Sequence, residues 1–212
     1  MAKNFIYYIK NMQEKGNAKQ TILEKALDLF SVKGYEGVSV SELTEAAGIT
    51  KPTLYYYFNS KEGLFDTVCH IYYDKLNKIV AENAEYKSKP KDYHEDIHYT
   101  LSKLTKAYFE FARENEAFFR IMLANLSMPP SSAVYKIVEK YHFEQFDIIK
   151  NTFNKMSKGH GNLKGKSETL TWSFIGIINS YIALYFYGVS GLKLDEKAVK
   201  ELVHHFMHGI YS

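Results

Sequence analysis

Residues 51–58, Lys-Pro-Thr-Leu-Tyr-Tyr-Tyr-Phe, place a cation, hydroxyl donors and aromatic rings within one short run. Leu54 and Phe58 at i, i+4 spacing make the buried stripe of a helix, which leaves Lys51, Thr53, Tyr55 and Tyr56 facing outward. Those outward groups suit duplex DNA. A lysine matches the acceptors of guanine, a threonine hydroxyl bonds a base or a phosphate, and the Pro52 ring can touch a thymine methyl. Tyr55, Tyr56 and Lys61 suit phosphates, contacts that fix register without reading sequence. Lys61 follows Ser60, the cap of a further helix whose free amides can share a phosphate with the lysine. Tyr57 suits packing and DNA contact equally.

Such groups need a rigid mount, and the preceding residues supply one. Ser39 followed three residues later by Glu42 is a capping box, so a helix starts there and turns Val40, Leu43 and Ala47 to one face. Gly48 gives the backbone freedom to stop it after Ala47, and Ile49 plugs the corner. Thr50 is the expected N-cap of the second helix, where Pro52 is tolerated because first-turn amides have no intrahelical partner. Ser39 and Thr50, at the two helix starts, join Lys51, Pro52, Thr53, Tyr55, Tyr56 and Lys61 as the candidate DNA-contacting set. A second helix of this kind presents its N-terminal residues to the major groove.

Upstream, Ile22, Leu23, Ala26, Leu27, Leu29 and Phe30 recur at the helical period, Asn17 with Gln20 can cap the start, and Gly34 fits a left-handed stop. Residues 18–65 are similar to the DNA-binding domain of the tetracycline-repressor (TetR) family: Ile22 to Tyr35 resembles the family's first helix, and Gly48-Ile-Thr-Lys-Pro-Thr-Leu-Tyr-Tyr-Tyr-Phe-Asn-Ser-Lys-Glu its turn, recognition helix and following helix start. The resemblance implies an all-helical homodimeric transcriptional regulator, usually a repressor, whose larger C-terminal domain binds a small molecule that lowers DNA affinity.

The 212 residues are 46% hydrophobic, enough for one small and one larger helical domain. The expected architecture is all-α: a leader or arm over residues 1–16, a three-helix helix-turn-helix domain over 17–64, and a ligand-binding and dimerisation domain over 65–212. The single cysteine, Cys69, excludes an internal disulfide, and the N-terminus lacks a signal-peptide pattern, so a reducing cytoplasm is expected. The net charge is +3, and residues 1–61 hold eight lysines against six acids. DNA attraction must therefore come from local placement. Lys3, Lys10, Lys15 and Lys19 could bring an arm to the minor groove, whereas Phe5, Ile6, Tyr7, Tyr8 and Ile9 suit packing against the body or a partner.

Beyond residue 60 the chain reads as helices: Ser60 to about Tyr86, connecting the domains; Ile97 to Asn115, which can cap the next; Glu116 to Leu126, stopped before Pro129 and Pro130; Ser131 or Ser132 to about Met156; Ser167 to Tyr187; and Asp195 to Ile210. Lys158 to Lys166 is expected to be a flexible loop. No charge occurs between Glu168 and Lys193, long enough to span a bilayer, yet the polar residues spread through it would need partners in lipid. A buried helix of a soluble protein is expected, one face on its own core and the other on a second subunit. With Leu202, Val203, Phe206 and Met207 it would build a four-helix dimer interface.

Aromatic and methionine residues crowd this half and can line a pocket for an apolar or aromatic molecule: Phe109, Phe118, Met122, Phe146 and Trp172, with Asn125, His142 and Asn179 as polar anchors. Packing in an ordinary core is the alternative. His94 with His98 and His204 with His208 have metal-compatible spacing, but no third ligand is evident, so no metal is expected. No cofactor motif appears, and neither a phosphate loop nor a nucleophile elbow is present, which argues against an enzyme. The expected function is a dimeric, ligand-responsive DNA-binding regulator, a repressor released from a palindromic operator by a small molecule. The competing readings are an interaction adaptor without DNA binding and an enzyme of another kind.

Overall fold

The computed structural model describes residues 2–89, 94–126 and 128–209, and their side chains apart from those of 2–17, 94 and 95. Among these residues there is no strand. The α-helices are α1 (Ala2–Lys33), α2 (Val40–Ala47), α3 (Lys51–Phe58), α4 (Lys61–Asn83), α5 (Tyr99–Glu114), α6 (Glu116–Asn125), α7 (Ala133–Gly159), α8 (Ser167–Phe186) and α9 (Glu196–His208). Two compact units emerge, Met1–Ile71 with Arg120–Val138, and Tyr72–Phe119 with Glu139–Ser212.

The first unit is built round apolar residues at helical spacing. Ile22, Ala26 and Phe30 of α1, Leu43 of α2, Leu54 and Phe58 of α3, and Leu64, Phe65 and Val68 of α4 are all buried. Phe30, Tyr35 and Phe65 form a ring cluster with centroids 4.9–5.8 Å apart. Helix α1 begins at Ala2 and runs through Asn17, so the cap expected at Asn17 and Gln20 does not form; Gln20 instead donates to Glu24 one turn on. The side chains of the expected arm, residues 1–16, lie outside the described residues.

In the second unit α5 packs against α8 and α9. Its buried stripe comprises Leu101, Leu104, Tyr108 and Phe111, at helical spacing. Phe153 of α7, Phe174 of α8 and Phe206 of α9 interlock, and the Arg113 guanidinium donates to the Leu194 carbonyl at 2.8 Å. Ser132 accepts from the Tyr135 amide to start α7, and Asp195 accepts from Ala198 to start α9. Helix α7 continues to Gly159, and Gly161–Leu163 form a 3-10 turn inside the expected loop. The Asp96 carboxylate, fully buried, accepts from the Lys89 amide and bonds the His160 ring at 2.8 Å.

Helix α8 buries one face on the core of its own subunit, as its sequence suggests. Thr171, Phe174, Ile178 and Ile182 form one buried stripe, while Trp172, Gly176, Ser180, Leu184 and Tyr187 stand exposed on the other. By length and composition Ser167–Phe186 could cross a membrane. Of the α9 residues assigned to an interface, Leu202 and Val203 are buried in their own subunit, because a helix of this amphipathic pattern turns its apolar face to the nearest core; Phe206 and Met207 are half-buried.

Candidate nucleic-acid interface

Each element bearing the outward residues of α3 is locked by local hydrogen bonds. At the start of α2 the Ser39 hydroxyl accepts from the Glu42 amide at 3.2 Å, and the Glu42 carboxylate accepts from the Ser39 amide at 2.8 Å. That carboxylate also accepts a hydrogen bond from the Lys33 ammonium at 2.6 Å; this lysine, then the Ser39 bonds, hold its pKa down to about 2. Gly48 closes α2 in the left-handed region, φ 64°, its amide donating to Glu45 while the Ile49 amide donates to Thr44. One residue later Thr50 is extended, and its hydroxyl oxygen accepts from the Thr53 amide. α3 restarts at once with Pro52 in its first turn.

Leu54 and Phe58 are buried, so the opposite face points to solvent. Lys51 and Pro52 are exposed, Tyr55 is 44% and Tyr56 70% exposed, and Thr53 and Tyr57 are half-buried. Lys51 with Tyr55, and Pro52 with Tyr56, share helix faces at i, i+4, giving two adjacent outward stripes. Tyr57 meets Tyr56 edge-on at 5.1 Å, a packing role. The Thr53 hydroxyl lies 2.9 Å from that of Thr50. Ser39 and Thr50 are exposed, but their side-chain oxygens serve the helix caps.

Lys61 is placed differently from the phosphate role expected of it. Its ammonium donates to the carbonyls of Tyr35 and Val38, both at 3.0 Å, and sits 4.0 Å from the centroid of the Tyr35 ring. The amine therefore ties the α1–α2 connection to the start of α4. Ser60 does cap α4, accepting from the Gly63 amide at 3.0 Å. A Cβ on Gly63 would stand 2.1 Å from the Phe58 carbonyl oxygen, so only glycine allows the corner between α3 and α4. The roles of Lys33, Tyr35 and Gly63 carry no local sequence signal.

The candidate pocket residues fall into separate clusters. Met122 and Asn125 are buried in the first unit, and the remaining six belong to the second. There Phe118 packs on Tyr72 and Tyr73, Phe109 on Tyr181, and Phe146 at 4.2 Å on Trp172, which is 56% exposed. The His142 ring is hydrogen-bonded to the Tyr73 hydroxyl, and burial pushes its pKa down to about 4. Asn179, with Gln145 and Tyr108, has a buried polar atom without a hydrogen-bond partner. No group of three or more metal-binding side chains occurs among the described residues, and the His94 side chain lies outside them.

Residues 22–68 match the family described as bacterial regulatory proteins, tetR family. The biofilm operon icaADBC HTH-type negative transcriptional regulator IcaR of Staphylococcus aureus strain Newman is 30% identical over 112 residues, 53% of this chain and 55% of the relative. The chain thus spans about half the length of these curated relatives. The HTH-type transcriptional regulator YhgD of Bacillus subtilis strain 168 is 28% identical over 169 residues, 79% of this chain and 82% of its own. Among solved structures, the transcriptional regulator FadR from Bacillus subtilis in complex with stearoyl-CoA is similar with a TM-score of 0.73 and 14% identity, covering 90% of this chain and 98% of that one. At that identity the likeness is one of fold.

Proposed function

Because this chain belongs to the TetR family of bacterial regulatory proteins, we propose that it is a homodimeric repressor that binds a palindromic operator and releases it when a small molecule binds. The observation that carries this reading is the solvent-facing pair of stripes on α3, Lys51 with Tyr55 and Pro52 with Tyr56, mounted on a capped two-helix corner. Lys51 donates to guanine acceptors, the Pro52 ring meets a thymine methyl, and Tyr55 and Tyr56 reach phosphates. Thr53 contacts a base or a phosphate with the hydroxyl it otherwise shares with Thr50. Ser39 and Thr50 hold the two helices in register, and Lys61 holds the α1–α2 connection behind them.

Residues 17–64 act in DNA contact and 65–212 in ligand binding and dimerisation. The exposed stripe of α8, with half-buried Phe206 and Met207 of α9, supplies the face for a second copy. Unpartnered Tyr108, Gln145 and Asn179 atoms support a ligand bound within the second unit, since buried polar groups ordinarily find partners. The effector is an apolar or aromatic molecule with few polar groups, matched to the ring-rich, charge-poor interior of this unit. Its binding favours a dimer whose recognition helices no longer match successive major grooves, with a coupling of about 1–3 kcal/mol. The chain acts in the cytoplasm, off the membrane, and is no enzyme. Selection of duplexes from a random pool, followed by mobility shift, tests this: Lys51→Ala with Tyr55→Ala abolishes retention of the selected duplex. Unchanged affinity overturns the assignment.

A further inference from the structure

The Thr50 hydroxyl closes the start of α3 and also meets Thr53. Its oxygen accepts from the Thr53 amide at 3.4 Å and lies 2.9 Å from the Thr53 hydroxyl oxygen. Among the described residues the two oxygens have no other hydrogen-bond partner. Each hydroxyl carries one proton and two acceptor lone pairs. One proton fills the space between the oxygens, so the pair keeps a single proton for a partner outside the protein. Which threonine keeps it decides what Thr53, half-buried at the edge of the outward face of α3, can read. If Thr53 donated to Thr50, the Thr50 oxygen would accept twice and Thr53 would show DNA only lone pairs. If Thr50 donates to Thr53, the bonds run head to tail from the Thr53 amide through Thr50 to the Thr53 hydroxyl and an outside acceptor. Bonds in such a chain polarise one another, and the partial positive charge of a helix start turns protons outward. The second arrangement also matches the major groove, where guanine shows O6 and N7, adenine N7 and thymine O4 as acceptors, whereas cytosine shows only its N4 donor.

We propose that Thr50 fixes Thr53 as a hydrogen-bond donor to a base edge, so that each half-site excludes cytosine at the position facing Thr53. Thr53 is then a specificity-determining residue, and Thr50 is its positioning residue as well as the cap of α3. The inference rests on α3 being the recognition helix and adds the polarity of one contact, which the choice between base and phosphate had left open.

Selection of duplexes from a random pool, by the full chain and by three threonine variants, tests it. The parent is expected to disfavour cytosine about tenfold at one position of each half-site. Thr53→Val keeps the shape without the hydroxyl and should lose this discrimination at that position alone. Thr50→Asn caps a helix as well as threonine does, and its amide NH2 still donates to Thr53, so the parent's preference should remain. Thr50→Asp caps equally but offers only acceptors. Thr53 then donates inward, and the preference should turn to a base with an amino donor, cytosine or adenine. The added charge weakens all duplexes alike and cancels in the ratio between sequences. A Thr50→Asp protein that still excludes cytosine overturns the relay. So does a loss of affinity in Thr53→Val that is uniform across duplexes, since the hydroxyl then holds a phosphate. Lys51→Ala with Tyr55→Ala separates the two readings. If that double variant binds the selected duplex as the parent does, the recognition-helix assignment falls and the relay with it; if it abolishes binding, the threonine variants alone decide the relay.

Discussion

The Lys61 ammonium sits 4.0 Å above the centre of the Tyr35 ring while donating to the Tyr35 carbonyl at 3.0 Å. With its second bond, to Val38, it satisfies two carbonyls of the α1–α2 connection that no helix serves. Lys61→Met keeps the aliphatic stem but removes both bonds, and is expected to lower the unfolding free energy by about 1–3 kcal/mol. Salt-dependent operator titration separates this role from a phosphate contact. A lysine lost from a phosphate reduces the slope of log affinity against log salt by about one. For Lys61→Met the slope should stay that of the parent protein, with any loss of affinity tracking the loss of stability in urea melts.

Gly63 makes a second demand on the same corner. Its Cα approaches the Phe58 carbonyl so closely that a methyl group would overlap the oxygen, and that oxygen also accepts from the Ser60 amide. Gly63→Ala is therefore expected to destabilise the first unit by about 2 kcal/mol or more, against the gain alanine ordinarily brings to a helix. A thermal melt that rises or stays level in this variant contradicts the close approach.

What the sequence made legible here is what depends on partners within one helical turn. The Ser39–Glu42 box, the Thr50 cap, the left-handed Gly48 and the buried pair Leu54 and Phe58 all involve residues at most four apart, and each is found as expected. Lys61 reads as a surface cation because its acceptors lie 23 and 26 residues away, and Lys33 reaches Glu42 across nine. The candidate pocket was unreadable for another reason. Composition shows that rings are abundant, but whether Phe118 faces a cavity or the rings of Tyr72 and Tyr73 depends on tertiary packing alone. In α8 the missing charges signalled burial without saying which stripe would be covered by the subunit itself.

That uncovered stripe of α8 yields a prediction with opposite signs for subunit and assembly. Gly176 lies midway along it, between exposed Trp172 and Leu184, and a Cβ there would meet nothing within 4 Å in its own subunit. Replacing a mid-helix glycine favours the helix by up to about 1 kcal/mol, so Gly176→Arg should leave the subunit at least as stable. At a close helix–helix contact the same change inserts a long charged side chain. Sedimentation velocity should then show a monomer where the parent is a dimer, and operator affinity should fall about a hundredfold or more as one recognition helix works without its twin. A Gly176→Arg protein that sediments as a dimer places the interface elsewhere.

His142 gives the fold a pH dependence whose sign follows from its burial. The ring is hydrogen-bonded to the Tyr73 hydroxyl, and burial, which disfavours the charged form, lowers its pKa to about 4 from an ordinary value of 6.5. Between those values the unfolded chain binds a proton that the folded chain refuses, so stability rises with pH through this window and levels off above 6.5. Lowering the pH to 5 leaves the unfolded histidine almost fully protonated and the folded one almost fully neutral. The contribution lost between pH 7.5 and pH 5 is about 2 kcal/mol. Other groups titrate over the same range, so the comparison must be made against His142→Gln, which keeps an acceptor for Tyr73 but carries no titrating ring. Urea melts at the two pH values should show a drop in the parent that exceeds the drop in His142→Gln by about 2 kcal/mol. Equal drops would mean that burial does not keep the ring neutral in the folded protein.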